Sequence, residues 1–170
     1  MSIWWSLHLR REAASVPLAR RLLVGAMETA GVDPETSYEL SVALSEACAN
    51  AVEHGGGDAG RATGEYRVTA YLDGEMCRIE VTDSGPGFPA ARAEPDRAVR
   101  RRSQRPQTPP AGPDGEHAEH GRGLFLIEAL ADHVHVRNKP GRGAVVSFDK
   151  ILKWREGALL AAPPREPVTA

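Results

Sequence analysis

Glu46 and Asn50 stand four residues apart in the run Glu39–His54, ELSVALSEACANAVEH. On a helix that spacing puts both side chains on one face, one turn apart. A carboxylate and an amide so placed suit a hydrated divalent cation. Downstream lie Asp83-Ser84-Gly85-Pro86-Gly87-Phe88 and His120-Gly121-Arg122-Gly123-Leu124. A carboxylate at a strand exit can accept the exocyclic amine of a purine. Gly85 and Gly87 would let the backbone approach the flat ring. Gly121 and Gly123, entering a helix, would expose N–H groups at its positive end toward phosphate, with Arg122 adding charge. Each motif alone has a plainer reading, as a solvated helix face, a turn or a hinge. Together the three point to a nucleotide site.

The helix itself argues against the plainer reading of Glu46 and Asn50. Leu40, Val42, Ala43, Leu44, Ala47, Cys48, Ala49, Ala51 and Val52 make it apolar nearly all round. Such a helix is largely buried, and polar groups within it need partners. There is no GxxxxGK[ST], and the Gly121-Arg122-Gly123 pair lacks the full dinucleotide fingerprint.

The elements that must hold these residues follow from periodicity and punctuation. Ile3–Arg10 alternates as a strand. Ser15–Ala30 reads as a helix with Ser15 as its cap, Pro17 in the first turn and Gly31 as its stop. Asp33-Pro34 opens a second helix running from Glu35 to about His54. Tyr66–Leu72 and Met76–Thr82 flank Asp73-Gly74, a hairpin signal. Residues 91–119 are rich in Arg, Pro, Glu and Gly and nearly free of large apolar side chains, so they predict a mobile segment. A short helix, Leu124–Ala131, follows the glycines. Val134–Arg137 and Ala144–Phe148 then read as two more strands. The expected class is α+β: a two-layer α/β sandwich, its mixed and mostly antiparallel sheet covered by helices on one face. One domain is expected over residues 1–150, with a lid at 91–120 and a flexible C-terminal tail at 151–170.

The chain has 170 residues, enough for a real core. Its formal net charge of −2 gives no electrostatic case for nucleic acid or an anionic membrane. No apolar run approaches the roughly 20 residues that span a bilayer, and no signal peptide is evident. Cys48 and Cys77 make neither a disulfide framework nor a metal knuckle, and read as buried thiols of a cytoplasmic protein.

ExxxN on a helix, DxGxG after a strand and GxGL opening a helix, in that order over about 80 residues, resemble the GHKL (Bergerat) ATP-binding domain. Gyrase B, a class of heat-shock chaperones, MutL and histidine kinases share that domain. LSEACANAVEHG, VTDSGPGF and HGRGLFLIEALAD are most similar to the anti-sigma-factor serine kinases of SpoIIAB and RsbW type, and the likeness extends from Ile3 to Phe148. The resemblance implies ATP or ADP with Mg²⁺ as cofactors. It implies Asn50 as the metal ligand bridging to phosphates and Glu46 as general base on a hydroxyl nucleophile or water. Asp83 would read the adenine amine, with Gly85 and Gly87 beside the ring, and Gly121, Arg122, Gly123 and Leu124 would line the phosphates. The implied partners are a sigma factor and a STAS-type antagonist phosphorylated on serine. The first strand and helix are candidates for a homodimer interface, although Trp4 and Trp5 could equally be core. Where relatives often carry Gly-Thr, this chain has Gly143-Ala144. That departure leaves an alternative: a nucleotide-binding module with weak or no catalysis that regulates a partner by holding it.

Overall fold

The structure, a computed structural model, describes residues 1–54, 64–83, 115–139 and 143–161. Five strands form one sheet: β1 (Ile3–Arg10), β2 (Glu65–Leu72), β3 (Met76–Asp83), β4 (His133–Lys139) and β5 (Gly143–Ile151), in the spatial order β1-β2-β3-β5-β4. Three helices accompany it: α1 (Ser15–Ala30), α2 (Pro34–His54) and α3 (Gly115–Leu130). All four strand pairings are antiparallel, so the expected mixture of directions is absent among the described residues. The class is α+β, with an open sheet.

Register explains why one face is buried. Leu9, Tyr66 and Asp83 lie in one cross-strand row, Leu7, Val68, Val81 and Val146 in the next, and Trp5, Ala70, Ile79 and Phe148 in a third. A period of two puts all of them on the same face. There they join Leu23 and Met27 of α1, Leu40, Leu44 and Cys48 of α2, and Ile127 of α3 in one core. Trp5 packs against this core, whereas Trp4, one residue away on the opposite face, is exposed.

Local chemistry sets the element boundaries. Gly31 ends α1 in the left-handed region at φ 86°, and its N–H returns to Glu28 and Met27 carbonyls. Asp33 caps α2: its Oδ2 accepts from the N–H groups of Glu35 at 3.1 Å and Thr36 at 3.2 Å. Ser15 does not cap α1, which has no side-chain cap bond. Its buried hydroxyl instead donates to the Glu12 carbonyl and meets the Tyr66 hydroxyl, both at 2.7 Å, because a hydroxyl inside the core must find its partners there. In the hairpin, Asp73 Oδ1 accepts from the N–H groups of Glu75 and Met76 at 2.8 and 2.9 Å. Burial pushes the Asp73 carboxyl up, but those N–H bonds outweigh it, and the net shift is downward.

Two features depart from the expected outline. β5 runs to Ile151, and residues 152–161 pack on the body instead of fraying. Leu152 and Leu160 are buried, Val32 and Trp154 form a β-bridge, and Trp154 Nε1–H donates to the Gly74 carbonyl at 3.0 Å. The expectation followed the proline-rich composition, but those prolines begin at Pro163, beyond the apolar side chains that anchor the segment. Second, Lys150 occupies an inward position of β5. Its ammonium donates to the Leu130 carbonyl at the end of α3 and pairs with Glu39 of α2, each at 2.7 Å. A cation at a helix C-terminus is favourable, and this one ties both helices to the sheet.

Removing the ammonium leaves the Glu39 carboxylate without its partner. Lys150→Met is expected to lose about 3 kcal/mol in a denaturant titration, the scale found when one half of a buried pair is removed. Adding Glu39→Gln should recover a measurable part of that loss. The hairpin supplies a pH test. Because the folded Asp73 pKa is depressed, its contribution is present above the unfolded value and lost as pH falls through the folded one. Asp73→Asn should flatten the acid limb of the stability profile.

Candidate functional site

α2 carries two of the expected residues. Glu39, Ala43, Glu46 and Asn50 recur at helical spacing on one side of it. Glu46 and Asn50 are both half-buried. The end of the helix is held by Arg11, which donates from Nε to the Ala51 carbonyl at 3.2 Å and from Nη2 to the Val52 carbonyl at 2.8 Å. The guanidinium thereby fills the acceptors that a helix C-terminus leaves open. It also fixes the turn that follows Asn50.

α3 lies directly against this face. A Cβ built on Gly123 would sit 3.2 Å from both Asn50 Nδ2 and Asn50 Oδ1, and 3.4 Å from Glu46 Oε2. Gly123 is buried, and the absence of a side chain is what lets the α3 backbone come this close. Seven residues further along α3, the Leu130 carbonyl reaches Lys150, which holds Glu39, seven residues back along α2 from Glu46. The two helices therefore run antiparallel, with matched spacing. Leu124 is half-buried and packs against the core.

The helix does not begin where the glycines predicted. It starts at Gly115 and runs through Gly121, Arg122 and Gly123. A glycine inside a helix costs only about 1 kcal/mol relative to alanine, and at this contact a Cβ would already stand 3.2 Å from the Asn50 amide. Tertiary packing overrides the local signal here.

Asp83 ends β3 on the core-facing side of the sheet, paired in register with Tyr66. It is half-buried, and its Oδ1 accepts the Ala144 N–H at 3.1 Å. The Tyr66 hydroxyl meets the Ser15 hydroxyl of α1 at 2.7 Å, and Cys48 of α2 is buried in the same core. Asp83 therefore stands at the end of the sheet, in one cross-strand row with Tyr66 and Leu9. Gly123 stands against Asn50 and Glu46; Asp83 lies at the end of β3, where the Ala144 N–H donates to it. Gly85 and Gly87, and nearly all of the expected lid at 91–120, lie outside the described residues.

The remaining chemistry is easily bounded. Burial pushes the Cys48 and Cys77 thiols up to about 12, so neither supplies a thiolate nucleophile near neutral pH. Among the described residues no three His, Cys, Asp or Glu side chains gather to hold a metal by themselves, and no helix is long and apolar enough to cross a membrane. A recess between α1 and the start of α2, bordered by Arg20, Glu28, Tyr38 and Arg155, contains none of the candidate residues. Sequence reasoning passed over Lys150 and Arg11. The inward place of Lys150 was visible in the alternation Val146, Phe148, Lys150; nothing local marked Arg11.

Residues 9–150 match the family described as the histidine kinase-like ATPase domain. The chain belongs to that family. Curated relatives named serine-protein kinase RsbW match over a similar length. One from Listeria monocytogenes serotype 4a is 33% identical over 144 residues, covering 84% of each chain. One from Oceanobacillus iheyensis is 32% identical over 141 residues, covering 83% of this chain and 82% of the relative. One from Bacillus licheniformis is 33% identical over 144 residues, covering 81% and 78%. A crystal structure of the RsbU and RsbW domains of a Mycobacterium tuberculosis protein shares the fold with a TM-score of 0.56 at 20% identity, over 88% of this chain. The chain spans a third of that longer protein, 33%.

The glycine contact can be tested directly. Gly123→Leu overfills the α2–α3 seam and is expected to lower stability by about 2 kcal/mol, within the usual cost of overpacking. Asn50→Ala in the same background opens room and should restore part of the melting temperature.

Proposed function

We propose that this protein is an ATP-dependent protein serine kinase that also acts as an anti-sigma factor. Its substrate would be a serine of a STAS-type antagonist, and its second partner a sigma factor, within a partner-switching circuit in the cytoplasm. The observation that carries this reading is the seat of Gly123 against both Asn50 and Glu46. It brings the third motif onto the first in the chain order that the family requires. The kinase names of relatives about one-third identical over most of both chains support the activity class.

In this reading Asp83 accepts the adenine amine, and Gly85 and Gly87 flank the ring. The donor set near Asn50 fits Mg²⁺, an ion that commonly keeps several waters and takes few protein ligands beside substrate phosphates. Asn50 would hold it through its amide oxygen, and the ion would neutralise charge on the phosphates. Glu46, a carboxylate beside Asn50, takes the proton of the antagonist's serine hydroxyl as that oxygen attacks the γ-phosphorus and ADP departs. Positioning and charge neutralisation carry most such transfers. Gly121, Arg122, Gly123 and Leu124 would line the phosphates. That role requires the turns before Gly121 to open, because an N–H inside a helix is already bonded to the carbonyl four residues back.

A second reading is favoured by Ala144, which lacks the hydroxyl that relatives often place there. The protein would then bind nucleotide and regulate a partner without appreciable transfer.

Two measurements separate the readings. Calorimetry with ADP and Mg²⁺ is expected to give micromolar affinity, about −8 kcal/mol. Incubation with radiolabelled ATP, Mg²⁺ and the antagonist encoded nearby is expected to label an antagonist serine. Glu46→Gln should reduce that transfer by about a hundredfold or more, the scale of general-base catalysis, with ATP affinity little changed. Tight binding with no label on any antagonist would favour the binding module.

A further inference from the structure

β5 begins with a residue whose conformation excludes side chains. Gly143 has φ 111°, in the region that L side chains rarely adopt. A Cβ there would collide with the backbone carbonyl oxygen of Asp83, lying 2.8 Å from its carbonyl carbon and 3.1 Å from Oδ1. The next residue supplies a main-chain amide to the Asp83 carboxylate: Ala144 N–H donates to Oδ1 at 3.1 Å. Ala144 is buried, so little water competes for that bond. The regular ladder between β3 and β5 runs as far as Thr82 opposite Val145. Beyond that pair, strand-to-strand bonding gives way to a bond between main chain and carboxylate.

We infer that Gly143 is a positioning residue for base recognition, an inference that rests on the reading of Asp83 as the group that meets the purine amine. The close backbone approach that Gly143 permits brings the Ala144 amide to the Asp83 carboxylate and fixes its direction. A carboxylate has about four acceptor sites, so one bond from Ala144 orients it without exhausting it. The hydroxyl missing at position 144 is therefore not what aims the carboxylate. Selectivity for a 6-amino purine over a 6-oxo purine comes instead from main-chain geometry that only glycine at 143 allows. A 6-oxo purine turns an acceptor toward the carboxylate where adenine offers a donor, and sites built around such a bond discriminate strongly.

The test compares ATP with inosine triphosphate, which carries oxygen in place of the amine, by calorimetry on the full chain with Mg²⁺. The native protein should prefer ATP by about a hundredfold or more, since loss of a designed hydrogen bond costs at least that. Gly143→Ala should weaken ATP at least about tenfold and inosine triphosphate by less than about threefold, so that selectivity falls at least about threefold. Asp83→Asn keeps an oxygen for the Ala144 amide but offers a donor to the base, and should shift preference toward inosine triphosphate. Undiminished selectivity in Gly143→Ala, with the Asp83→Asn shift present, overturns the role of Gly143 and leaves the Asp83 reading standing. Equal affinities in the native protein overturn the Asp83 reading itself and this inference with it. Should Gly143→Ala fail to fold, D-alanine introduced at 143 by peptide ligation accepts the positive φ and points its methyl away. That protein should keep native selectivity, and loss of selectivity in a folded D-alanine protein overturns the steric argument.

Discussion

Two helices packed closely enough for a backbone to touch polar side chains set the geometry of the candidate site. At Gly123, α3 has no side chain, and a Cβ there would stand 3.2 Å from the Asn50 amide and 3.4 Å from the Glu46 carboxylate of α2. Helix axes ordinarily stand 8–10 Å apart, at a distance set by the side chains between them. A glycine at the contact leaves the α3 backbone facing the polar side chains of Asn50 and Glu46. The far end of the seam is pinned by Lys150, which gathers the Leu130 carbonyl and the Glu39 carboxylate. Both ends of the α2–α3 contact are thus fixed to the sheet or to each other.

The same logic places Asp83. A strand with four inward positions puts Cys77, Ile79 and Val81 into the core and Asp83 at the rim. An apolar residue there would extend the core; a carboxylate ends it. The desolvation of that half-buried group is offset by a main-chain donor from β5. The Asp83 carboxylate therefore stands at the edge of the hydrophobic core, oriented by a backbone amide.

The peripheral segments serve the same end. Arg11, just beyond β1, closes the C-terminal turn of α2. The 152–161 segment braces the turn between α1 and α2 through Lys153, Trp154 and Arg155, with Asp33 N–H to the Lys153 carbonyl and Arg155 N–H to the Gly31 carbonyl, each at 2.8 Å. The helix bearing Glu46 and Asn50 is held at its start by the chain's later residues and at its end by its early ones. This is a non-local arrangement, built from long-range pairs.

Much of this outline was legible in the residues. Alternation marked the strands, Asp33-Pro34 and Gly31 marked helix ends, and the four-residue spacing of Glu46 and Asn50 marked a shared face, because these signals depend only on backbone periodicity and local capping. Three things lay beyond local information. The start of α3 at Gly115 was hidden because glycines read as breakers unless a neighbouring helix needs their small size. Ser15 left its capping role because a buried phenol offered a better partner than solvent. The contacts of Lys150 and Gly143 existed only once β5 lay between β3 and β4, since sequence gives each residue its chemistry and its φ preference but not the carbonyl or carboxylate it will meet. Residue type and period settled which groups could act; the packing of α3 on α2 and of β5 on β3 decided which of them stand together.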